Sequence, residues 1–412
     1  MRYLLSAFLV FSFFIGSCAQ QQKSTKKTVE KEQAQTIKTG ADRIDQYLPL
    51  LKNKNIAIVA NQTSVLKVLQ RAEVAPNIMG AEIVQHHLVD YLHNYDRINV
   101  QKVFAPEHGF RGKADAGEAI ADGKDVKTGI PIISLYGKNK KPSPEQLKGI
   151  DVVVFDIQDV GARFYTYIST LHYVMEACAE LGIQVILLDR PNPNGHYIDG
   201  PVLEPEHKSF VGMHPVPVVY GMTIGEYGQM INGEKWLANG IQCDLTVILL
   251  ENYTHQSTYS LPIKPSPNLP NDISINLYPS LCFFEGTNVS AGRGTNKQFQ
   301  IYGSPFLEKS DFSFTPQPNE GAKHPKHKEK ICFGEDLSAS ESLVSLNLSW
   351  LVKAYQQSPK KDFFNTFFTK LAGTKKLRQQ IEEGLSEKEI KASWQLGLEN
   401  FKKVREQYLI YP

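Results

Sequence analysis

Short runs of apolar residues alternate with segments of helical periodicity through the first half of the chain. Five runs predict strands, at residues 55–60, 99–104, 131–136, 151–155 and 184–188. Because these runs are continuously apolar, the strands are expected to be buried on both faces, as in a parallel sheet. Residues 165–181 place apolar side chains on one helical face, and Gly182 is the expected stop. The strand–helix–strand order predicts a doubly wound α/β domain with a Rossmann-like layout.

The second half of the chain predicts a mixture of helices and strands. Thr223 and Glu226 form a capping-box pattern that starts a helix ending near Leu237. Further strands are predicted at residues 243–250 and 278–284, and further helices at residues 340–357 and 387–406. The prolines of residues 265–271 restrict the backbone and predict a rigid loop around Asn268.

Polar residues follow each predicted strand of the first half. The stretch 103–112, VFAPEHGFRG, places Glu107, His108 and Arg111 where a buried strand ends at a proline. A carboxylate beside an imidazole and a guanidinium is a candidate acid/base and anion-binding cluster, although a surface Glu–Arg pair explains it equally well. The other candidates at strand ends are Asn61, Asp156, Gln158, Asp159, Arg163, Tyr165, Tyr167, Asp189, Arg190 and Asn192. Carboxyl ends of parallel strands line one crevice, so these residues are expected to converge on a site.

A second polar cluster follows the predicted strand 278–284. Glu285, Asn288, Ser290 and Arg293 lie there in a glycine-rich loop. The density of polar side chains favours a functional site, and a solvated loop that needs its glycines only for turning is the alternative.

Several classes of function are disfavoured by what the sequence lacks. No G-x-G-x-x-G, P-loop or G-x-S-x-G pattern occurs, so we expect no dinucleotide cofactor and no serine nucleophile. His86, Asp90 and His93 would share a face of a helix, but an exposed polar face explains them better than a metal site. A net charge of +2 gives no electrostatic reason to expect a nucleic-acid partner. Neither heptads nor a long apolar stripe predicts a protein partner.

The N-terminus is typical of an exported lipoprotein. Arg2 precedes an apolar stretch, residues 4–15, that is too short to span a bilayer. Small residues directly before Cys18 resemble a lipobox, in which the cysteine is lipidated; plain secretion with nearby cleavage is the alternative. Residues 19–40 contain little to bury and are expected to form a flexible tether. We therefore expect a membrane-anchored lipoprotein of the cell envelope, facing the periplasm. The other cysteines are expected to be buried free thiols, Cys178, Cys243, Cys282 and Cys332.

Long motifs in collinear order identify a family resemblance that extends from Ala41 over essentially the whole chain. FAPEHGFRG, TGIPIISLYG, FDIQDVGARFYTYISTL, LDRPNPNG, PSPNLPN and FEGTNVSAGRGTN are similar to the exo-β-N-acetylmuramidase family (NamZ-type, glycoside hydrolase family 171). The resemblance implies a Rossmann-like catalytic domain, residues 41–194, a smaller α+β domain, residues 195–412, and an active cleft between them. It also implies release of N-acetylmuramic acid (MurNAc) from the non-reducing end of peptidoglycan fragments, without a cofactor or a metal.

Glycoside hydrolysis assigns provisional roles to the candidates. Glu107 is the expected acid/base, and Asp156, Asp159 and Glu285 are alternatives for the second carboxylate. The 2-acetamido group of the substrate is another possible nucleophile, with a protein carboxylate orienting it. The lactyl carboxylate of MurNAc should face a guanidinium, for which Arg163, Arg190 and Arg293 are candidates, while Arg111 could orient Glu107. Tyr165 and Tyr167 could stack on the sugar or belong to the core, and His108 could tune Glu107 or bind a hydroxyl.

Two other functions use the same residues. A non-catalytic muropeptide- or glycan-binding envelope lipoprotein would use the cleft without turnover. An amidase or esterase acting on cell-wall material is disfavoured because the sequence has no recognisable nucleophile or metal motif.

Overall fold

A seven-stranded sheet lies at the centre of the computed structural model, which describes residues 36–75, 78–111 and 122–412. The strands in chain order are β1 (Asn55–Ala60), β2 (Val65–Ala75), β3 (Ile78–His87), β4 (Asn99–Ala105), β5 (Gly123–Lys124), β6 (Pro131–Ser134), β7 (Val152–Asp156), β8 (Gln184–Leu188), β9 (Leu245–Ile248), β10 (Ile301–Ser304), β11 (Ser313–Phe314) and β12 (Cys332–Asp336). The central sheet has the order β5-β6-β4-β1-β7-β8-β9 and is parallel except for β5. This confirms the predicted α/β class.

Helices cover the sheet and build the remainder of the fold. They are α1 (Ile44–Leu51), α2 (Leu88–His93), α3 (Pro144–Leu147), α4 (Tyr167–Leu181), α5 (Ile224–Gly233), α6 (Asp272–Leu281), α7 (Ser349–Gln357), α8 (Phe367–Ala372), α9 (Lys376–Glu382), α10 (Glu387–Ser393) and α11 (Gln395–Arg405). The antiparallel strands β10, β12 and β11 form a small second sheet, and β2 pairs with β3 in a hairpin.

The central sheet is buried on both faces. In β1, Ala57 and Val59 pack into one apolar cluster, while Ile56, Ile58 and Ala60 pack into a second cluster on the opposite face. This alternation follows from the pleat, since successive side chains of a strand point to opposite faces. The first cluster extends through α4 to the C-terminal helices, so the segment Ile37–Pro412 is one compact unit.

Local signals in the sequence specify two of the helices. Gly182 ends α4 in the left-handed conformation, with φ of 65°, which a residue without a Cβ adopts readily. Thr223 caps α5, and its hydroxyl and the carboxylate of Glu226 form the predicted reciprocal box. This helix ends at Gly233, one turn earlier than the sequence pattern indicates.

The predicted strand at residues 278–284 is wrong. The segment belongs to α6 and to a following 3₁₀ turn, Cys282–Gly286. Asn271 caps α6, because its side chain accepts a hydrogen bond from the amide of Ser274 and the Ser274 hydroxyl accepts one from the amide of Asn271. This cap starts a helix whose buried residues include Ile275, Tyr278 and Leu281, a helical spacing.

The hairpin β2–β3 is not predicted by the sequence analysis. It places His86 in a strand, whereas Asp90 and His93 lie in α2, so these three residues do not share a helical face. Asp90 instead accepts hydrogen bonds from Arg111 and Lys127.

The described residues contain four cysteines and no disulfide bond. Cys178, Cys243, Cys282 and Cys332 are buried and free, as expected. Among the described residues, no helix is both long enough and apolar enough to cross a bilayer. The signal segment and Cys18 lie outside the described residues.

Candidate active site

Glu107 lies directly after β4, at the carboxyl edge of the central sheet. Its Oε2 accepts a hydrogen bond of 2.7 Å from the hydroxyl of Thr166, the residue that precedes α4. The neighbouring His108 has a φ of 69°, a conformation that is uncommon for a residue with a Cβ, and Gly109 follows with a φ of 77°. Two consecutive left-handed residues reverse the chain here and present Glu107 and His108 to one cavity.

This cavity, called here the main cavity, has a volume of about 290 Å³ and receives both polar clusters predicted from the sequence. Glu107, His108, Tyr165, Asn268, Glu285 and Arg293 all line it. The lining also includes residues that the sequence analysis did not select, namely Tyr136, Phe164, Thr166, Phe210, Val211, Ser266, Leu269, Tyr278, Cys282, Phe299, Phe367 and Leu371. A few polar groups among aromatic and aliphatic side chains are the usual composition of a small-molecule site.

Glu285 and Arg293 form an ion pair in the wall of the main cavity. Arg293 Nε donates to Glu285 Oε1 over 3.1 Å, and the guanidinium lies 5.3 Å from the ring centroid of Phe299. Among the described residues, Nε is the only nitrogen of this guanidinium with a hydrogen-bond partner. The two Nη groups therefore remain available as a forked donor, a geometry that matches a carboxylate.

A second cavity of about 310 Å³ adjoins the main one and shares Glu285 and Arg293 with it. Ser290 and Lys326 also line this second cavity. The Lys326 ammonium is committed to the protein, since it donates to three backbone carbonyls, those of Phe284, Thr287 and Val289. Arg293 is thus the cation of this wall that keeps donors for a ligand.

Asn268 is a buried polar residue in the lining of the main cavity. Its Nδ2 donates to the carbonyl of Gly321 over 2.6 Å, which fixes the amide orientation. Its Oδ1 is buried and receives no hydrogen bond from the described residues.

Asp156 and Arg190 form a buried ion pair away from the main cavity. Arg190 Nε and Nη2 donate to the two carboxylate oxygens of Asp156 over 2.6 and 2.9 Å, and Nη2 also donates to the carbonyl of Val65. Burial raises the pKa of Asp156, and Arg190 acts in the opposite direction. Because the two charged side chains are buried and hydrogen-bonded to each other, neither is positioned to contact a sugar.

Asp159 is also fully enclosed. One carboxylate oxygen accepts from the amide of Gly161 and from the hydroxyl of Tyr220, while the other has no donor among the described residues. Burial raises the pKa of Asp159 to about 6, despite these hydrogen bonds. The side-chain amide of the preceding Gln158 donates hydrogen bonds to the carbonyls of Asp159 and Pro191. Both side chains therefore act inside the protein.

Arg163 links two distant parts of the chain. Its guanidinium donates to the carbonyls of Pro201 and Val216 and to those of Leu371 and Ala372, over 2.7–2.9 Å. Burial lowers the pKa of Arg163 to about 9. This side chain is wholly enclosed and fixes the end of α8, whose Phe367 and Leu371 line the main cavity.

Two further residues at the strand ends are structural. Asp189 accepts four hydrogen bonds, from the amides of Arg190 and Gly225 and from the hydroxyls of Thr223 and Tyr411. Burial raises the pKa of Asp189 to about 7. Asn192 donates to the carbonyl of Met222, and its Oδ1 accepts from the amide of Asn194.

The tyrosines of the α4 segment differ in position. Tyr165 lines the main cavity, and its hydroxyl donates to the carbonyl of Pro265. Tyr167 lies behind it, where its hydroxyl accepts from Asn61 Nδ2 over 2.9 Å. Asn61 Oδ1 also accepts hydrogen bonds from the amide and the hydroxyl of Thr63, and these bonds stabilise the loop after β1.

The remaining candidates lie near the main cavity but do not line it. Arg111 pairs with Asp90 and Asp125. The backbone of Asn288 bonds to Phe363, and its Oδ1 is buried without a described donor. The Ser290 hydroxyl accepts from the amide of Gly292 and stabilises the turn that carries Arg293.

Comparison with known proteins gives a consistent assignment. The family model described as exo-beta-N-acetylmuramidase NamZ, N-terminal, matches residues 56–273, and the corresponding C-terminal model matches residues 276–411. The peptidoglycan beta-N-acetylmuramidase NamZ of Bacillus subtilis (strain 168) is 37% identical over 440 residues, covering 100% of both chains. Two solved DUF1343 family proteins from Bacteroides fragilis NCTC 9343 also match. The first is 45% identical, covers 92% of this chain and 99% of its own, and has a TM-score of 0.80. The second is 27% identical, covers 91% and 99%, and has a TM-score of 0.75.

Proposed function

Since the chain belongs to the NamZ family of exo-β-N-acetylmuramidases, we propose that it releases MurNAc from the non-reducing end of peptidoglycan fragments such as MurNAc-GlcNAc. The observation that carries the proposal is that Glu107 and the Glu285–Arg293 pair line one cavity. The cavity holds two carboxylates for glycosidic chemistry and a forked cation for an acidic sugar.

Glu107 is the proton donor in this mechanism. Its carboxylic acid gives a proton to the glycosidic oxygen as the bond from that oxygen to C1 breaks, and the leaving sugar departs as an alcohol. Water then supplies the hydroxyl group at C1 and returns a proton to the enzyme. The Thr166 hydroxyl holds Glu107 in position through its 2.7 Å hydrogen bond.

Glu285 takes the second carboxylate role. Asp156 and Asp159 are fully buried and committed to Arg190 and to Tyr220, whereas Glu285 lines the main cavity. From this wall Glu285 stabilises the developing charge at C1 or orients the 2-acetamido group of the substrate for attack.

Arg293 recognises the lactyl carboxylate of MurNAc. Its Nε stays with Glu285, and its two Nη groups form the bidentate pair with the ligand. Arg163 and Arg190 are buried, donate to protein oxygens and do not line the main cavity, which leaves Arg293 as the candidate that faces it. Asn268 adds a polar residue to the lining that receives the sugar.

The test compares two disaccharides, MurNAc-GlcNAc and GlcNAc-MurNAc, incubated with the protein lacking residues 1–18, with products identified by mass spectrometry. We expect free MurNAc from the first disaccharide only. Glu107→Gln should lower kcat by roughly 10²–10⁴-fold, the usual contribution of general acid catalysis. Glu399→Gln is the matched control, because Glu399 is exposed and lies outside the cavity lining. Tight binding of MurNAc-GlcNAc with no turnover by the wild type would favour the glycan-binding alternative.

We also propose that Cys18 is lipidated and that the enzyme works at the cell envelope, in turnover and recycling of the cell wall. The support is the apolar segment that ends in small residues before Cys18, and the polar stretch that follows. Membrane fractionation of the full chain and of Cys18→Ser tests the anchor, since only the full chain should sediment with membranes. Deletion of the gene should lead to accumulation of MurNAc-GlcNAc; an unchanged muropeptide profile would contradict the role in turnover.

A further inference from the structure

The main cavity has an enclosed end and an open rim. At the enclosed end, Phe164, Tyr165, Tyr278 and Phe299 are each 8% exposed or less. At the rim, the lining residues Tyr136, Phe210 and Val211 are half-buried, and Phe367 is 37% exposed. The two groups of lining residues therefore differ in access to solvent, and the rim is the side that exposes aromatic surface.

Glu107 borders both ends of this cavity. Its partner Thr166 begins the turn before α4, and Ser169, three residues later, donates from its hydroxyl to the carbonyl of Phe210 over 2.8 Å. On the enclosed side, Tyr278 lines the same cavity as Glu107, and its ring packs edge-on against Tyr165 at a centroid distance of 5.8 Å. Glu107 thus has lining residues of both groups around it, and the scissile bond is placed beside its carboxyl group.

The Phe210 ring is held in place before any ligand arrives. Tyr173 stacks against it at a centroid distance of 6.3 Å and an angle of 19°, and the Lys140 ammonium lies 4.5 Å from its centroid. Two backbone hydrogen bonds between Ser209 and Gly212 close the turn that carries it. Tyr136 contacts the ring edge at 6.3 Å and extends the aromatic surface from the end of β6.

We propose that Tyr136 and Phe210 form the platform that binds the leaving sugar, the N-acetylated hexosamine on the reducing side of the scissile bond. This inference rests on the proposed function. The terminal MurNAc enters the enclosed end beside Arg293, Glu107 spans the glycosidic oxygen, and the next sugar lies against the aromatic rim. The C–H face of a pyranose packs on an aromatic ring by dispersion and loss of apolar hydration.

Product inhibition separates the two ends experimentally. Free GlcNAc should compete at the rim and free MurNAc at the enclosed end, each measured as an inhibition constant and, without turnover, by calorimetry. Phe210→Ala should weaken GlcNAc binding by roughly 3–10-fold, as expected for loss of one aromatic contact. It should raise the KM for MurNAc-GlcNAc by a similar factor and leave MurNAc binding unchanged. Phe210→Trp keeps the ring surface and should retain the affinity.

Two further variants supply a control for a general loss of structure and a second test of the platform. Phe306→Ala removes a ring that is 49% exposed and lies outside the cavity lining, and it should change neither constant. Tyr136→Leu removes the other half of the platform and should weaken GlcNAc binding in the same direction as Phe210→Ala. Equal loss of GlcNAc and MurNAc affinity, or no loss of GlcNAc affinity in either rim variant, overturns the platform. A wild type that binds GlcNAc through Phe210 but releases no MurNAc would contradict the hydrolase and leave the platform standing.

Discussion

The buried pair of Asp156 and Arg190 allows a direct test of whether a strand-end carboxylate is structural or catalytic. Asp156→Asn keeps the shape of the side chain but removes its charge, so Arg190 remains buried beside a neutral amide. Breaking a buried ion pair in this way costs about 3–5 kcal/mol, because the remaining charge loses its partner. We therefore expect the free energy of unfolding to fall by that amount.

The expected change in melting temperature follows from the size of the folded unit. At about 2.1 cal/mol/K per residue, the unit Ile37–Pro412 has an unfolding entropy of roughly 0.8 kcal/mol/K. A loss of about 3–5 kcal/mol then lowers Tm by roughly 4–6 °C. Differential scanning calorimetry at pH 7.5 measures this shift.

Activity measured well below the Tm distinguishes the two roles. If Asp156 is structural, kcat for MurNAc-GlcNAc should stay within about threefold of the wild-type value. Glu107→Gln is the contrasting variant, with a large loss of kcat expected. A variant Asp156→Asn that melts like the wild type and has lost activity by 10² or more would refute the structural assignment.

Three other perturbations have defined outcomes. Thr166→Val should lower kcat/KM by roughly 10–100-fold through loss of the hydrogen bond to Glu107, while Thr166→Ser should restore it in steady-state assays. Gly286→Ala would bring a Cβ to 2.4 Å from Phe368 Cα in α8; we expect a loss of about 1–3 kcal/mol in a urea titration and a raised KM, and a wild-type midpoint would contradict the close approach. The raised pKa of Asp159, about 6, means that its contribution is fully present below about pH 4 and is lost as pH rises to 6. The Tm of Asp159→Asn relative to the wild type should therefore increase between pH 4 and 6 and then level off.

The continuous apolar runs were sufficient to predict the strands that organise the sheet. Six of its seven strands coincide with such runs, and the caps at Thr223 and Gly182 mark helix ends through local chemistry alone. Residues 278–284 were misassigned because a buried apolar run of that length fits a strand or a helix equally well. The cap that decides between them, Asn271, lies seven residues upstream and is visible in the sequence.

Two residues of the aromatic rim, Phe210 and Phe367, could not be inferred from local patterns, whereas Tyr136 lies just after β6. Phe210 belongs to a turn between hydrogen-bonded Ser209 and Gly212, and Phe367 belongs to α8, far along the chain. Neither residue follows a strand of the central sheet. A prediction based on the carboxyl ends of the strands therefore does not include them. Thr166 is different, because its hydroxyl sits one residue from the predicted Tyr165 and a search for partners of Glu107 could have included it.

Strand order explains why similar residues at the carboxyl ends of strands have different roles. Asp156 is the last residue of β7 and Arg190 lies two residues after β8, and these two strands are neighbours in the sheet. Opposite charges at adjacent strand ends are close enough to form an ion pair. Because both groups are buried, the pairing offsets the cost of removing each charge from water. Glu107 follows β4, whose neighbours β1 and β6 are followed by the uncharged residues Asn61 and Leu135. The carboxylate in that position lines the main cavity. The residue types are evident in the sequence, but their chemical roles depend on which strands become neighbours.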